Sequence, residues 1–323
     1  MSLPNPDAGQ WVWDPAGSDH ELAQACVDLK AGRCYAADAL LRASVDDPGL
    51  RAARSQAMGA VVATSRTAEI WVREHPDSAE ARLVFARVAA ARAIRAHRVG
   101  DGGAGVLAEA AIEACEAALE PAGGTSDATP YVIMLSLAPV ARLPLYQAPD
   151  AMLDLPGPWN LLEQVRRRDR VAREAHHRML QFFSARENGS HAKMWDFALW
   201  AANQVPQDSP VRLLPLFARA EHYRFTHRGQ LAFRQWTDDP MAKTHVVSAY
   251  EHWFPTVRGA SQVPVADLSL LAYALQLVFG PVRQVADVLE AMMPYACRWP
   301  WLIDGDPGEQ LDWAVIRCGL KPP

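Results

Sequence analysis

The chain has 323 residues, of which 50% are hydrophobic and 21% charged, so it can bury a sizeable core and is not a disordered segment. A formal net charge of −5 excludes the broad positive field that nucleic acid or an anionic membrane surface would require. Because single cores stop growing at about 250–300 residues, the length predicts two compact domains or one elongated repeat array.

The five cysteines predict reduced thiols. Their number is odd, their spacings are long and no C-x-x-C motif occurs, so neither a disulfide framework nor a zinc site is expected. The segment 1–15 lacks the positive cluster and apolar core of a signal peptide. The most apolar stretches, Tyr131–Ala141 and Leu268–Val282, are shorter than the roughly 18–20 residues that span a bilayer. We therefore expect a cytoplasmic protein with no membrane partner, metal or cofactor.

Helix signals divide the first half of the chain. Asp47-Pro48 begins one helix with proline at its first position. His75-Pro76 ends another, and Asp77 or Ser78 caps a long helix that runs from Ala79 to about His97. An apolar stripe at helical spacing marks this long helix. The stripe comprises Leu83, Val84, Arg87, Val88 and Ala91.

Prolines interrupt the helical pattern at the middle of the chain. Pro144, Pro149, Pro156 and Pro158 predict a linker over residues 144–158. It divides helical hairpins in residues 1–143 from a second helical domain in residues 159–323; alternatively, it is a long connection across one face of a continuous array. Trp11 and Trp13 lie in a Pro/Gly-rich leader and predict a strap that docks onto the first helices.

The second half is again helical, with short turns rich in glycine and proline. Pro206 and Pro240 are 34 residues apart, which is the period of tetratricopeptide repeats. The repeat is degenerate, since the Trp-Leu-Gly-Tyr signature of the first repeat helix is missing. We therefore predict an all-α fold of stacked antiparallel helical hairpins, a degenerate tetratricopeptide-like α-solenoid with helix in more than about 60% of residues, well above the usual third. The candidate helices are Trp159–Arg168, Val171–Arg186, Ser190–Val205, Pro210–Phe225, Gln230–Trp236, Met241–Phe254, Val265–Phe279, Pro281–Met293 and Glu309–Cys318.

Residues 160–310 carry a resemblance to a known family. The run Gly189-Ser190-His191-Ala192-Lys193-Met194-Trp195-Asp196-Phe197-Ala198 resembles the G-S-H-x-x-M-x-D-F-A stretch of a tetratricopeptide-like family of unknown function from high-GC bacteria. Pro210–Tyr223 and the tail from Pro294 to Pro307 extend the similarity. The resemblance implies an all-α repeat fold and an intracellular location, and it implies no activity and no functional residue.

Histidines cluster in the second half but lack the spacing of a metal site. His222 and His227 are five residues apart, whereas two imidazoles on one helix face need a separation of four. The basic run Arg166–Arg168 with Arg170 is broken by Asp169 and followed by Glu174, and we interpret it as a solvated helix face.

The function predicted from these features is a non-enzymatic helical scaffold that binds a peptide or protein partner in a groove. Polar and aromatic side chains of the motif-rich helices would face this ligand. The alternative is an enzyme, or an accessory subunit of a biosynthetic complex, that uses the His/Glu/Arg-rich second half; a self-associating structural protein, and with it a homo-oligomer, is a third reading. The candidate ligand-binding residues are His191, Trp195, Glu221, His222, Arg224 and His227.

Overall fold

The computed structural model describes residues 11–119, 127–150, 153–187, 189–260, 262 and 264–323. Helix accounts for 66% of the structure. In the described ranges, β pairing is confined to two isolated bridges. The predicted all-α class is therefore confirmed, whereas tetratricopeptide-like stacking stays a prediction. Within the same ranges no helix is both long and apolar enough to cross a bilayer.

Backbone contacts divide the chain into two compact units. The N-terminal unit is His20–Phe197, and the C-terminal unit combines Ala198–Pro323 with the described part of Met1–Asp19. This division differs from the predicted one, because segments 144–158 and 159–197 both belong to the N-terminal unit. The physical reason is that the helices after residue 158 pack back onto earlier helices of that unit. Residues 151 and 152 of the predicted linker, and 1–10 of the predicted strap, lie outside the described residues.

Helices of the N-terminal unit follow the capping signals of the sequence. Asp47 accepts a hydrogen bond from the backbone N–H of Leu50, and Ser78 accepts one from that of Ala81. The last helix of the series, α10, begins in this unit and ends in the other. The helices are α1 (His20–Lys30), α2 (Tyr35–Arg42), α3 (Pro48–Val62), α4 (Thr67–Glu74), α5 (Ala79–Arg98), α6 (Ala104–Leu119), α7 (Thr129–Leu137), α8 (Trp159–Arg166), α9 (Arg173–Phe182) and α10 (His191–Asn203).

Helix α5 is the centre of the N-terminal unit. Helices α3, α4, α6 and α7 all pack against it, and α9 packs on α3 and α7. Its contact with α6 is rich in alanine, with Ala86, Ala90 and Ala93 in the same buried cluster as Ala108 and Ala111. Small side chains allow two helix backbones to approach closely, so the high alanine content of the sequence is used for packing.

A glycine sets the distance between α3 and α5. A Cβ atom added to Gly59 on α3 would lie 2.4 Å from the Cβ atom of Arg87 on α5. Real carbon atoms do not approach so closely, so any larger residue would push the helices apart. Glycine costs a helix about 1 kcal/mol relative to alanine, so its presence here reflects tertiary packing.

Substitution of this glycine tests the packing. We expect Gly59→Ala to lower the free energy of unfolding by about 1–3 kcal/mol, because overpacking outweighs the better helix propensity of alanine. Gly105→Ala is the matched control, since Gly105 lies in α6 with no atom within 4 Å of its added Cβ. Chemical denaturation should show a small stabilisation for Gly105→Ala; a gain for Gly59→Ala as well would contradict the close approach.

The predicted linker folds back on itself. The backbone groups of Tyr146 and Gly157 exchange two hydrogen bonds of 2.8 and 2.9 Å. The indole N–H of Trp159 donates to the carbonyl of Leu155, and its ring packs against Phe183 and Phe197. The two ends of the segment therefore pair with each other, and Trp159, which follows it, packs into the N-terminal unit.

The C-terminal unit surrounds one apolar helix, α15, which packs against α11, α12, α13, α16 and α17. Nine consecutive residues of α15, from Asp267 to Leu275, are buried. A 3₁₀ turn over Pro210–Leu213 precedes α11, and a π turn over Ala249–Trp253 separates α13 from α14. The helices are α11 (Leu214–Phe225), α12 (Gln230–Thr237), α13 (Pro240–Ser248), α14 (Phe254–Val257), α15 (Val265–Phe279), α16 (Arg283–Met292), α17 (Arg298–Trp301) and α18 (Pro307–Arg317).

The N-terminal strap exists, but the prediction that it docks onto the first helices is wrong. Trp11 is buried in the core of the C-terminal unit, and its indole N–H donates to Asp312 at 2.8 Å. Val12 forms two backbone hydrogen bonds, to the carbonyl of Pro294 and from the N–H of Ala296. Backbone pairing and a buried indole hold the strap at the C-terminal unit.

Candidate binding groove in the N-terminal unit

A surface groove runs along α3, between α3 and α5 on one side and α7 and α9 on the other. It consists of two adjoining cavities of about 350 Å³ and about 70 Å³, which share Gln56 as a lining residue. The lining residues of α3 extend from Pro48 to Ala60. At 1.5 Å per residue this corresponds to a length of about 18 Å. We call the 350 Å³ part the wide end and the 70 Å³ part the narrow end of the α3 groove.

The groove exists because small residues line it. Along α3 these are Gly49, Ala52, Ala53 and Ala60, and on α5 they are Ala90 and Ala91. Alanine has only a methyl group as its side chain, and glycine has only a hydrogen atom. These residues leave a space beside the helix that larger side chains would fill. Ile94 and Ile133 add apolar surface at the wide end.

Arg87 anchors the base of the groove. Its side chain is 6% exposed and forms a bidentate ion pair with Glu174 of α9, with N···O distances of 2.6 and 2.7 Å. The same guanidinium donates to the hydroxyl of Ser55 and to the carbonyl of Ala52 on α3. Arg87 therefore joins three helices through charge-assisted hydrogen bonds, which are the strongest that side chains make.

A second arginine completes this network. Arg178 donates to Glu174 Oε1 at 2.9 and 3.2 Å, and to the side-chain oxygen of Gln181 at 3.1 Å. Burial by itself would raise the pKa of Glu174, but the charges and hydrogen bonds of Arg87 and Arg178 outweigh it and lower this pKa to about 2. Glu174 is therefore a permanent carboxylate at neutral pH.

Two other arginines at the wide end are exposed. Arg95 and Arg98 lie three residues apart on α5, and both line the wide end. In the described part of the chain neither guanidinium has an ion-pair partner. The wide end therefore has two structural arginines, which Glu174 holds, and two that remain available to a ligand.

The narrow end has a different charge. Asp169 and Glu174 line it together with Arg173. Burial is the main cause that raises the pKa of Asp169, and the nearby Asp47 carboxylate adds to it. The charge along the groove is therefore asymmetric, with excess positive charge at the wide end only.

The six residues predicted to bind a ligand are distributed over both units. His191 and Trp195 lie on the first half of α10 and are half-buried. Glu221, His222 and Arg224 lie on α11 and are half-buried as well, whereas His227 is exposed in the turn after it with a positive φ of 52°. Their role in ligand binding stays a prediction.

Two of these six residues, Glu221 and Arg224, form an ion pair on α11, beside an aromatic pair. Glu221 accepts a hydrogen bond of 3.1 Å from the indole N–H of Trp299 and lies 3.6 Å from a guanidinium nitrogen of Arg224. The ring of Trp299 stacks on Phe217 at a centroid distance of 4.3 Å. Burial lowers the pKa of the neighbouring His222. The hydrogen bond from Trp299 to Glu221 joins α17 to α11.

No cluster of three or more His, Cys, Asp or Glu side chains that could hold a metal ion occurs in the described ranges. The prediction that the protein has no metal or cofactor remains untested.

The residues of the α3 groove were missed by the sequence interpretation, although a signal for them existed. Arg87 stands inside the apolar stripe of α5, where a charge requires a buried partner. Glu174 follows the basic run, which we interpret from the sequence as a solvated helix face. The arginines of that run are half-buried or exposed, whereas Glu174 is enclosed by its two arginine partners.

Comparison with known proteins finds no matching family model, no similar curated protein and no similar solved structure. The resemblance of residues 160–310 to a tetratricopeptide-like family therefore stays a prediction.

Proposed function

We propose that the protein is a non-enzymatic helical scaffold that binds an extended acidic segment of a protein partner in the α3 groove. The observation that carries this proposal is an open groove about 18 Å long, with two exposed arginines at its wide end. These are Arg95 and Arg98, which form no ion pair in the described part of the chain. A cytoplasmic location and tetratricopeptide-like stacking of the hairpins are part of the same proposal.

The dimensions of the groove suit an extended chain. A β-like segment advances about 3.3 Å per residue, so a groove of about 18 Å holds five or six residues. The alanines and glycine of α3 allow the main chain of such a segment to lie close to the helix. Ile94 and Ile133 provide apolar contacts for one of its side chains. The recognition would therefore combine shape with charge.

The groove is poorly suited to catalysis. A general acid or base works best with a pKa near the operating pH, and the pKa of Glu174 is about 2. Among the described residues that line the two cavities there is no histidine or cysteine.

Fluorescence anisotropy with two labelled peptides tests the proposal. The first alternates glutamate and leucine over eight residues, and the second has glutamine in place of each glutamate. We expect the glutamate peptide to bind and the glutamine peptide to bind at least about tenfold more weakly, because charge-assisted hydrogen bonds to arginine contribute about 1.5–3 kcal/mol. Binding of the glutamate peptide should also weaken as salt is raised.

Variants locate the binding site. The double variant Arg95→Gln/Arg98→Gln should weaken binding of the glutamate peptide about tenfold or more, whereas Arg142→Gln/Arg234→Gln should change it less than twofold. Both control arginines are exposed and lie outside the groove, so the net charge changes equally. A third variant, Ala60→Trp, fills the wide end and should abolish binding without loss of helix. Equal affinities of the glutamate and glutamine peptides, or unchanged binding by the groove variants, would refute the proposal.

A further inference from the structure

We infer that the wide end of the α3 groove is built for a phosphomonoester dianion, so that the partner segment carries a phosphorylated side chain. This inference rests on the proposed function and specifies its ligand. Two observations support the inference. The wide end has more positive charge, and more N–H donors, than one bound carboxylate group would require.

The charge of the wide end exceeds that of one carboxylate. Arg87, Arg95, Arg98 and Arg178 line it. The carboxylate that compensates them is Glu174, which binds Arg87 and Arg178 and leaves three positive charges in excess. A glutamate side chain would neutralise one of these, whereas a phosphate monoester carries about −1.5 to −2 at pH 7.

The donors of the wide end also fit a phosphate. Each guanidinium presents five N–H groups in a planar fork, and a phosphate offers three acceptor oxygens. Arg95 and Arg98 are exposed, and the amide of Gln56 is exposed at the same rim. Ser136 also lines the wide end, but its hydroxyl already donates to the carbonyl of Ile133 at 2.6 Å. The anion would therefore be held mainly by the two arginines, with Gln56 as a neutral donor.

Glu174 has a specific effect on this site. By binding Arg87 and Arg178 it holds these two guanidiniums at the base of the groove. Arg87 and Arg178 therefore contribute positive charge to the wide end, but the N–H groups that they donate to Glu174 are not available to a ligand. Asp169 at the narrow end disfavours an anion there. The phosphorylated residue would therefore occupy the wide end, and the remaining segment would extend along α3 toward Pro48.

Three peptide pools test the inference. Each peptide has nine residues, with four degenerate positions on either side of a fixed central residue that is phosphoserine, glutamate or serine. Anisotropy at constant salt should give at least about tenfold tighter binding for the phosphoserine pool than for the glutamate pool, and weaker binding still for the serine pool. The variant Arg95→Gln/Arg98→Gln should remove the preference for phosphoserine, while Arg142→Gln/Arg234→Gln should retain it.

The dependence on pH gives an independent readout. The second pKa of a phosphate monoester is about 6, so a phosphoserine peptide loses charge between pH 7 and pH 5. The described residues that line the wide end include no histidine, and the pKa of Glu174, which binds two of its arginines, is about 2. His177 lies on α9, the helix that carries Glu174. Burial and the charges of Arg173 and Arg178 keep the pKa of His177 well below its usual value. Binding of the phosphoserine pool should therefore weaken severalfold between pH 7 and pH 5, whereas a constant affinity would contradict a dianion.

The outcomes separate the inference from the proposed function. Equal binding of the phosphoserine and glutamate pools would overturn the dianion and leave the acidic-segment scaffold intact. Failure of all three pools would overturn the scaffold. In that event, calorimetric titration with inorganic phosphate would show whether the wide end binds a free anion; binding that is lost in Arg95→Gln/Arg98→Gln would overturn the peptide as the source of the phosphate.

Discussion

Replacement of Glu174 with alanine is expected to lower the free energy of unfolding of the N-terminal unit by about 3–5 kcal/mol, because removal of one partner leaves Arg87 buried without its counter-charge. The side chain of Arg87 is 6% exposed, and its two hydrogen bonds to Glu174 are 2.6 and 2.7 Å long. Denaturant unfolding followed by circular dichroism measures the effect.

Glu163→Ala is the matched control for this substitution. Glu163 is a glutamate on α8 in an exposed i,i+4 ion pair with Arg167, at 3.1 Å. Exposed pairs contribute less than about 1 kcal/mol, so the loss should be small. Similar losses for Glu163→Ala and Glu174→Ala would show that the Arg87 network is not the main ionic contribution to the unit.

The same network predicts how stability depends on pH. The pKa of Glu174 is about 2 in the folded protein, compared with an ordinary value of 4.5 for a glutamate side chain. A carboxyl whose folded pKa is depressed contributes its full stabilisation above the unfolded pKa and loses it as the pH falls toward the folded pKa. The difference in unfolding free energy between Glu174→Gln and the unmodified chain should therefore decrease between pH 5 and pH 2. A constant difference over this interval would contradict the depressed pKa.

Removal of the strap tryptophan is expected to have an effect of similar size in the C-terminal unit. Trp11→Ala leaves a cavity in the core and removes the hydrogen bond to Asp312, so we expect a loss of about 3–5 kcal/mol. Circular dichroism is the appropriate probe, because the substitution itself changes tryptophan fluorescence.

Trp313→Ala provides the control for the strap. Trp313 neighbours Asp312 on α18 but is 63% exposed, and it contacts the guanidinium of Arg317. Truncation of an exposed side chain changes stability by about 0.5 kcal/mol or less. Two small and similar losses would mean that the strap does not contribute to the stability of the C-terminal unit.

The helices could be predicted from the sequence because their signals are local. Asp47-Pro48 and Ser78 begin α3 and α5, as the capping pattern predicts. The sequence predicts a short helix over Gln230–Trp236, and α12 covers Gln230–Thr237. Capping and turn residues act over three or four positions, so one sequence contains all the information they require.

The division into units and the groove could not be predicted in the same way, because both depend on distant pairs. Arg87 and Glu174 are 87 residues apart in the sequence. The small residues of α3 form a groove only because α5, α7 and α9 supply its other walls. Two local anomalies did point to these contacts. They are a charge within an apolar stripe, at Arg87, and a glycine within a helix, at Gly59.

The strap has a consequence for the order of folding during translation. Trp11 and its partner Asp312 are separated by 301 positions. At about 5–20 residues per second, a ribosome needs about 15–60 s to synthesise the chain between them. The N-terminal unit ends at Phe197, so its sequence is complete well before α18 is synthesised. Until then the indole of Trp11 cannot form its hydrogen bond to Asp312. A nascent chain stalled before residue 307 would therefore lack the partner of Trp11, because Asp312 has not yet been synthesised.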